Sequence, residues 1–102
     1  MTTVTAGKRY GAYNVRIEGH AGFADPGQDI VCAGISTLAF TLLHALEDMK
    51  VHADVEMDQP AGRMCFSFPA NKRTEPVLQT VMSGFQMLQH EYPKNIQVGW
   101  AK

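Results

Sequence analysis

The sequence predicts an α+β fold: two helices packed on one face of a small, mostly antiparallel sheet, in the order ββαββα with a candidate last strand. Three observations carry this. Two segments repeat apolar residues at helical spacing, short segments with strict apolar/polar alternation flank them, and a Pro/Gly-containing turn joins two of the alternating runs. At 102 residues the chain is read as one domain, 1–102, large enough to bury a real but marginal core. One sheet face covered by both helices is the simplest way to hide every apolar surface.

The elements follow in order. A short first strand precedes a turn at Gly7–Gly11. Tyr13, Val15 and Ile17 then alternate with Asn14, Arg16 and Glu18, the period of a half-buried strand. Residues 19–27 hold three glycines and Pro26, so they form a loop. A helix is expected over about 30–50, with Ile35, Leu38, Leu42, Leu46 and Met49 as its core-facing stripe. Val51, Ala53, Val55 and Met57 alternate as a strand, Asp58-Gln59-Pro60-Ala61-Gly62 is turn chemistry, and Met64, Phe66 and Phe68 pair back across it. Pro76 sits where a first helical turn tolerates it, and Pro93 ends that helix. Its stripe is Leu78, Val81, Met82, Phe85, Leu88 and Tyr92, after which Ile96, Val98 and Trp100 are the candidate last strand.

Composition excludes several functions. Nine basic and ten acidic side chains give a net charge of −1, with no basic block to suggest nucleic-acid binding. The longest apolar stretch, 38–46, is interrupted by Thr41 and His44 and is too short for a membrane span. Met1-Thr2-Thr3-Val4 does not open a signal peptide, so a cytoplasmic location is expected and the two cysteines are read as free thiols.

The informative stretch is Gly19-His20-Ala21, a loop, and then Gln28-Asp29-Ile30-Val31-Cys32-Ala33-Gly34-Ile35-Ser36. His20 follows a strand, and Cys32 lies in the first turn of a helix. Unpaired N–H groups make a helix N-terminus electropositive, an environment that favours thiolate over thiol, and a nearby imidazole acts as base or ion-pair partner. Cys32 falls at the edge of the apolar stripe, and Ser36 lies one turn later on the same flank. Asp29 is placed to cap the helix or, alternatively, to orient the histidine as the third member of a triad. The first-turn N–H groups of Cys32 and Ala33 are candidates for holding an oxyanion.

This stretch resembles the ribosomal-processing cysteine protease (Prp) family. That family shows a glycine-histidine-alanine segment, a short glycine-containing loop, and aspartate-isoleucine-valine-cysteine-alanine opening a helix. The similarity is densest over 18–46, and nothing specific matches beyond Pro69. The resemblance implies a homodimeric α+β domain that needs no cofactor or metal. It implies Cys32 as nucleophile and His20 as base, with Asp29 and Ser36 supporting them. Residues 21–28, with Ala21, Gly22, Phe23 and Gly27, match a flexible segment that gates the site. The implied activity is removal of a short N-terminal extension from a large-subunit ribosomal protein, so the implied partner is a peptide segment of that protein, with no direct nucleic acid and no membrane. Phage-encoded relatives trim capsid or scaffold proteins, which is the alternative substrate class.

Structural readings compete at several positions. A free cysteine is most often core, and that reading is kept for mid-strand Cys65. His44, His52 and His90 read as solvated surface residues. Gly34 costs roughly 1 kcal/mol against alanine inside a helix. It marks close approach of backbone, substrate or a second subunit, or else tight helix–sheet packing. Phe40 and Leu43 fall outside the stripe and begin an apolar patch, to be covered by a second subunit or substrate unless the sheet curls over them. Zinc has no Cys-x-x-Cys or His-x-x-x-His pair to bind. The rival function is a non-catalytic ribosome- or assembly-associated binding module with an inert cysteine. Rapid alkylation of Cys32 beside a slow Cys65 would separate the enzyme from it.

Overall fold

Tyr10 and Gly11 both take positive φ, 51° and 75°. Two-residue hairpin turns favour this conformation, because it matches the twist of the strands it joins. In the computed structural model, which describes residues 1–25, 27–58 and 61–101, this turn links β1 (Thr2–Arg9) to β2 (Ala12–Glu18). The first strand is therefore longer than expected, and Gly7 pairs with Asn14 inside the ladder instead of forming the turn. Pro26, Gln59 and Pro60, used above in the loop and turn readings, lie outside the described residues.

The remaining elements are α1 (Ile30–Asp48), β3 (Asp54–Asp58), β4 (Arg63–Pro69), α2 (Thr74–Glu91) and β5 (Ile96–Trp100). The sheet order is β3-β4-β2-β1-β5, with three antiparallel pairings and β5 parallel to β1. Its register lines up apolar residues across all five strands. One row is Val98-Val4-Ile17-Met64-Met57 and the next is Trp100-Ala6-Val15-Phe66-Val55. The intervening row, Thr5-Arg16-Cys65-Glu56, faces the other way and is polar. One face thus takes the helices and the other does not, as the alternation of β2 and β4 requires.

By length and composition α1 would pass for a membrane span. Its apolar stripe is committed to the core instead: Val31, Ile35, Ala39, Leu42 and Leu46 are buried together with Leu78, Met82 and Phe85 of α2. Apart from Ala39, each such side chain contributes on the order of 1.5–3 kcal/mol. Within the chain Gly34 packs against the other helix and not against the sheet. A Cβ there would meet Leu88 of α2 at 3.2 Å, while a Cβ on Gly84 would meet Leu38 of α1 at 2.6 Å. Each helix lends a glycine to a leucine of the other, which brings the two axes together.

The ends of α1 follow from local chemistry. Asp29 caps its start. At its end the N–H of Lys50 donates to Glu47 O (2.9 Å) and that of Val51 to Leu46 O (2.8 Å). This is a Schellman closure, with Lys50 at φ 59° in the place glycine usually takes. The helix accordingly stops at Asp48, and Val51 and Ala53 pack half-buried on the core before β3 begins. α2 starts two residues before Pro76, because Asn71 Oδ1 accepts from the N–H groups of Arg73 (2.9 Å) and Thr74 (3.1 Å).

Candidate active site

β2 ends at Glu18, and the chain then has to turn sharply beneath the start of β1. Gly19 does this at φ 93°, where a Cβ would collide with the carbonyl oxygen of Met1. Its N–H donates to Gly62 O (2.8 Å), and its own carbonyl accepts from the Thr2 hydroxyl (3.3 Å). His20 emerges from this clasp into solvent. Its imidazole lies against Gly62 of the β3–β4 turn, so closely that a Cβ there would sit 2.9 Å from Nε2.

Cys32 is the third residue of α1 and is half-buried. The Cys32 N–H donates to Asp29 Oδ1 (2.9 Å), while Asp29 Oδ2 accepts from the N–H groups of Phe23 (3.0 Å) and Ala24 (3.4 Å). One carboxylate therefore caps the helix and ties down the preceding loop. Desolvation pushes this carboxyl up, but the hydrogen bonds from Cys32, Phe23 and Ala24 together outweigh it and hold it below its ordinary value. Among the described residues, no hydrogen bond joins Asp29 to His20, so the cap is the reading its geometry favours. The expected oxyanion donors are also engaged: Cys32 N–H on the Asp29 carboxylate and Ala33 N–H on the Asp29 carbonyl (3.1 Å). In this state neither is free to receive a charge.

Cys32, His20 and Ser36 line one cleft of about 560 Å³. Its floor is apolar, from Ile17, Ile35 and Met64, and its far wall comes from Met57, Gly62 and Arg63 of the β3–β4 hairpin. That wall escapes the sequence argument because it comes from contacts more than twenty residues away. The one legible sign was the pairing of Met57 with Met64 across the expected turn. Of the loop residues, Gly27 borders the cleft, and Gly22 is exposed at φ 69°. Phe23 stacks edge-on against Tyr92, with ring centroids 5.3 Å apart. Ala21 differs from the rest: only 2% exposed, it belongs to the core.

The remaining candidates lie elsewhere. Cys65 faces the uncovered side of the sheet between Arg16 and Glu56, away from the cleft. His44, His52 and His90 are exposed, the first two beside Asp48 (3.6 Å) and Asp54 (3.0 Å). Among the described residues, no three His, Cys, Asp or Glu side chains converge as metal ligands.

The family model described as cysteine protease Prp matches residues 1–97, and the chain belongs to that family. It is a cysteine protease. The ribosomal processing cysteine protease Prp of Bacillus subtilis (strain 168) is 23% identical over 105 residues, spanning 96% of this chain and 94% of the relative. That of Staphylococcus aureus (strain Mu50 / ATCC 700699) is 29% identical over 90 residues, 85% of each chain. The crystal structure of an essential ribosomal processing protease Prp from S. aureus with a covalently linked product peptide is similar at a TM-score of 0.88 and 28% identity, over 99% of this chain and all of that one (100%). The S. aureus structure with a substrate peptide is similar at 0.77 and 27% identity over the same shares, 99% and 100%.

Proposed function

We propose that this protease removes a short N-terminal extension from a large-subunit ribosomal protein in the cytoplasm, with Cys32 as nucleophile and His20 as general base. The observation that carries the dyad is that one cleft receives both side chains, although eleven residues lie between them in the chain. The printed descriptions of the relatives, ribosomal processing proteases with bound substrate and product peptides, support the substrate class.

The chemistry is acyl transfer. His20 takes the Cys32 thiol proton as sulfur attacks the scissile carbonyl. The C–N bond breaks, and the leaving amine departs with that proton. Water then hydrolyses the thioester, regenerating the thiol and releasing the N-terminal extension as a free acid, the shortened protein having left as the amine. Asp29 serves by holding the first turn of α1 under Cys32, and Ser36 by forming the polar part of the cleft wall one turn above it. Gly22, Phe23 and Gly27 form the moving part of the gate, with Ala21 as its fixed end. Oxyanion binding by the Cys32 N–H would then require the Asp29 bond to be exchanged when peptide enters. The active species is a homodimer.

The test is cleavage of a peptide spanning the N-terminus of the source cell's large-subunit ribosomal protein. The wild-type chain is expected to cut it at one site. Cys32→Ala should abolish cutting at a stability cost of at most ~1–2 kcal/mol, because the thiol is only half-buried at the stripe edge. Residual cutting by that variant removes the nucleophile assignment. A wild-type chain that ignores ribosomal peptides but cuts capsid peptides moves the substrate to the phage-type class.

A further inference from the structure

The Asn95 side chain makes a contact that the turn holding it does not need. That turn closes on its own backbone: Asn95 N–H and Ile96 N–H both donate to Tyr92 O, at 2.9 and 3.2 Å. Asn95 O accepts the N–H of Thr2 (2.9 Å), which starts the pairing of β5 with β1. The side-chain amide is left over, and its Nδ2 donates to the carbonyl of Ala21 (3.0 Å), 74 positions away. Ala21 directly follows His20 and is buried. From the same turn, Tyr92 presents its ring edge-on to Phe23. The junction between α2 and β5 thus grips the backbone on one side of His20, while Thr2 and Gly62 grip Gly19 on the other.

We propose that Asn95 is a positioning residue for His20: by fixing the Ala21 carbonyl it sets the direction in which the backbone delivers the imidazole to the cleft. The proposal rests on the reading of His20 as the partner of Cys32. His20 itself is exposed, and no hydrogen bond to its ring is found among the described residues. Its orientation therefore depends on the backbone either side of it and on the Gly62 contact. A displacement on the ångström scale at a catalytic group is costly, because proton transfer requires hydrogen-bond distance.

A purely structural role would be to satisfy the carbonyl of buried Ala21. Asn95→Asp, compared in the presence and absence of His20, separates the two. It keeps the shape, removes the donor, and leaves every backbone bond of the turn available. Cleavage by Asn95→Asp is expected to lose about tenfold or more in kcat with KM within about twofold. Alkylation of Cys32 by iodoacetamide should slow, with Cys65 on the opposite sheet face unchanged. In a His20→Ala background, adding Asn95→Asp should change the Cys32 alkylation rate by less than about twofold, since a residue acting through His20 has nothing left to act on. Asn95→Gln, which restores the donor on a longer arm, should recover part of kcat. If Asn95→Asp does not fold, Asn95→Ser provides the same comparison without the added charge. Equal losses in the presence and absence of His20, or a loss confined to melting temperature, overturn the positioning role. If His20→Ala alone leaves Cys32 alkylation unchanged, the dyad reading fails first, and the positioning role falls with it.

Discussion

Asp29 joins three backbone N–H groups from two segments, and its charge state is coupled to the order of both. Its folded-state pKa lies below the ordinary 3.8. The stability it contributes is therefore complete above that value and is lost as pH falls through the lower folded one. Asparagine keeps an acceptor for the Cys32 N–H and cannot ionise, but it presents an NH2 where Oδ2 accepts from Phe23 and Ala24, so Asp29→Asn should cost about 1 kcal/mol or more. Thermal melts across the acid range are expected to fall more steeply for wild type than for Asp29→Asn below pH 3.8. Parallel curves would show that the carboxylate is not coupled to folding. Cleavage near neutral pH adds a second reading: a cap is replaceable by asparagine, whereas a charge acting on His20 is not. The cap was legible because an acidic residue directly precedes an apolar helical period. The bonds to Phe23 and Ala24 were not, because nothing in a glycine-rich loop specifies which way its N–H groups point.

At the level of elements, glycines decided where the expectations failed. Gly7 looked like a turn residue but lies in β1, because the positive φ needed for the hairpin falls on Tyr10 and Gly11. Gly34 was read as a close approach of backbone, substrate or subunit, or as helix–sheet packing, and within the chain it faces Leu88 of α2, a helix–helix contact that only the partner helix reveals. Gly62 was read as ordinary turn chemistry, yet it supports His20. Gly62→Ala puts a Cβ 3.0 Å from the Gly19 carbonyl oxygen and 2.9 Å from Nε2, at φ 63°. Gly11→Ala is the matched control, at φ 75° with open space around it. Each should lose about 1 kcal/mol or more from backbone strain. Only Gly62→Ala should also lose cleavage when assayed well below its melting temperature. Equal cleavage by the two variants would mean that the Gly62–His20 contact does not set the imidazole's position.

The whole molecule leaves apolar surface around its cleft, and this bears on the proposed dimer. Leu43, expected to share an exposed patch with Phe40, packs half-buried on the monomer's own core. Phe40 remains 48% exposed, and Met57, which lines the same cleft, 51%. Phe40 also borders a second groove on α1 with Ser36, Thr37, Thr41 and His44. A subunit seated on that groove would therefore abut the cleft wall, so assembly and cleavage would rise together. Phe40→Asp is expected to dissociate the dimer into folded monomers, seen by light scattering with helix content retained, because a half-exposed side chain contributes little to the monomer. Cleavage should fall with the dimer population, and raising protein concentration should restore both by mass action. A variant that stays dimeric but cuts poorly would assign the ring to the substrate instead. A wild-type chain that sediments as a monomer at assay concentration would end the dimer proposal outright, leaving the apolar wall of Phe40 and Met57 to the peptide alone.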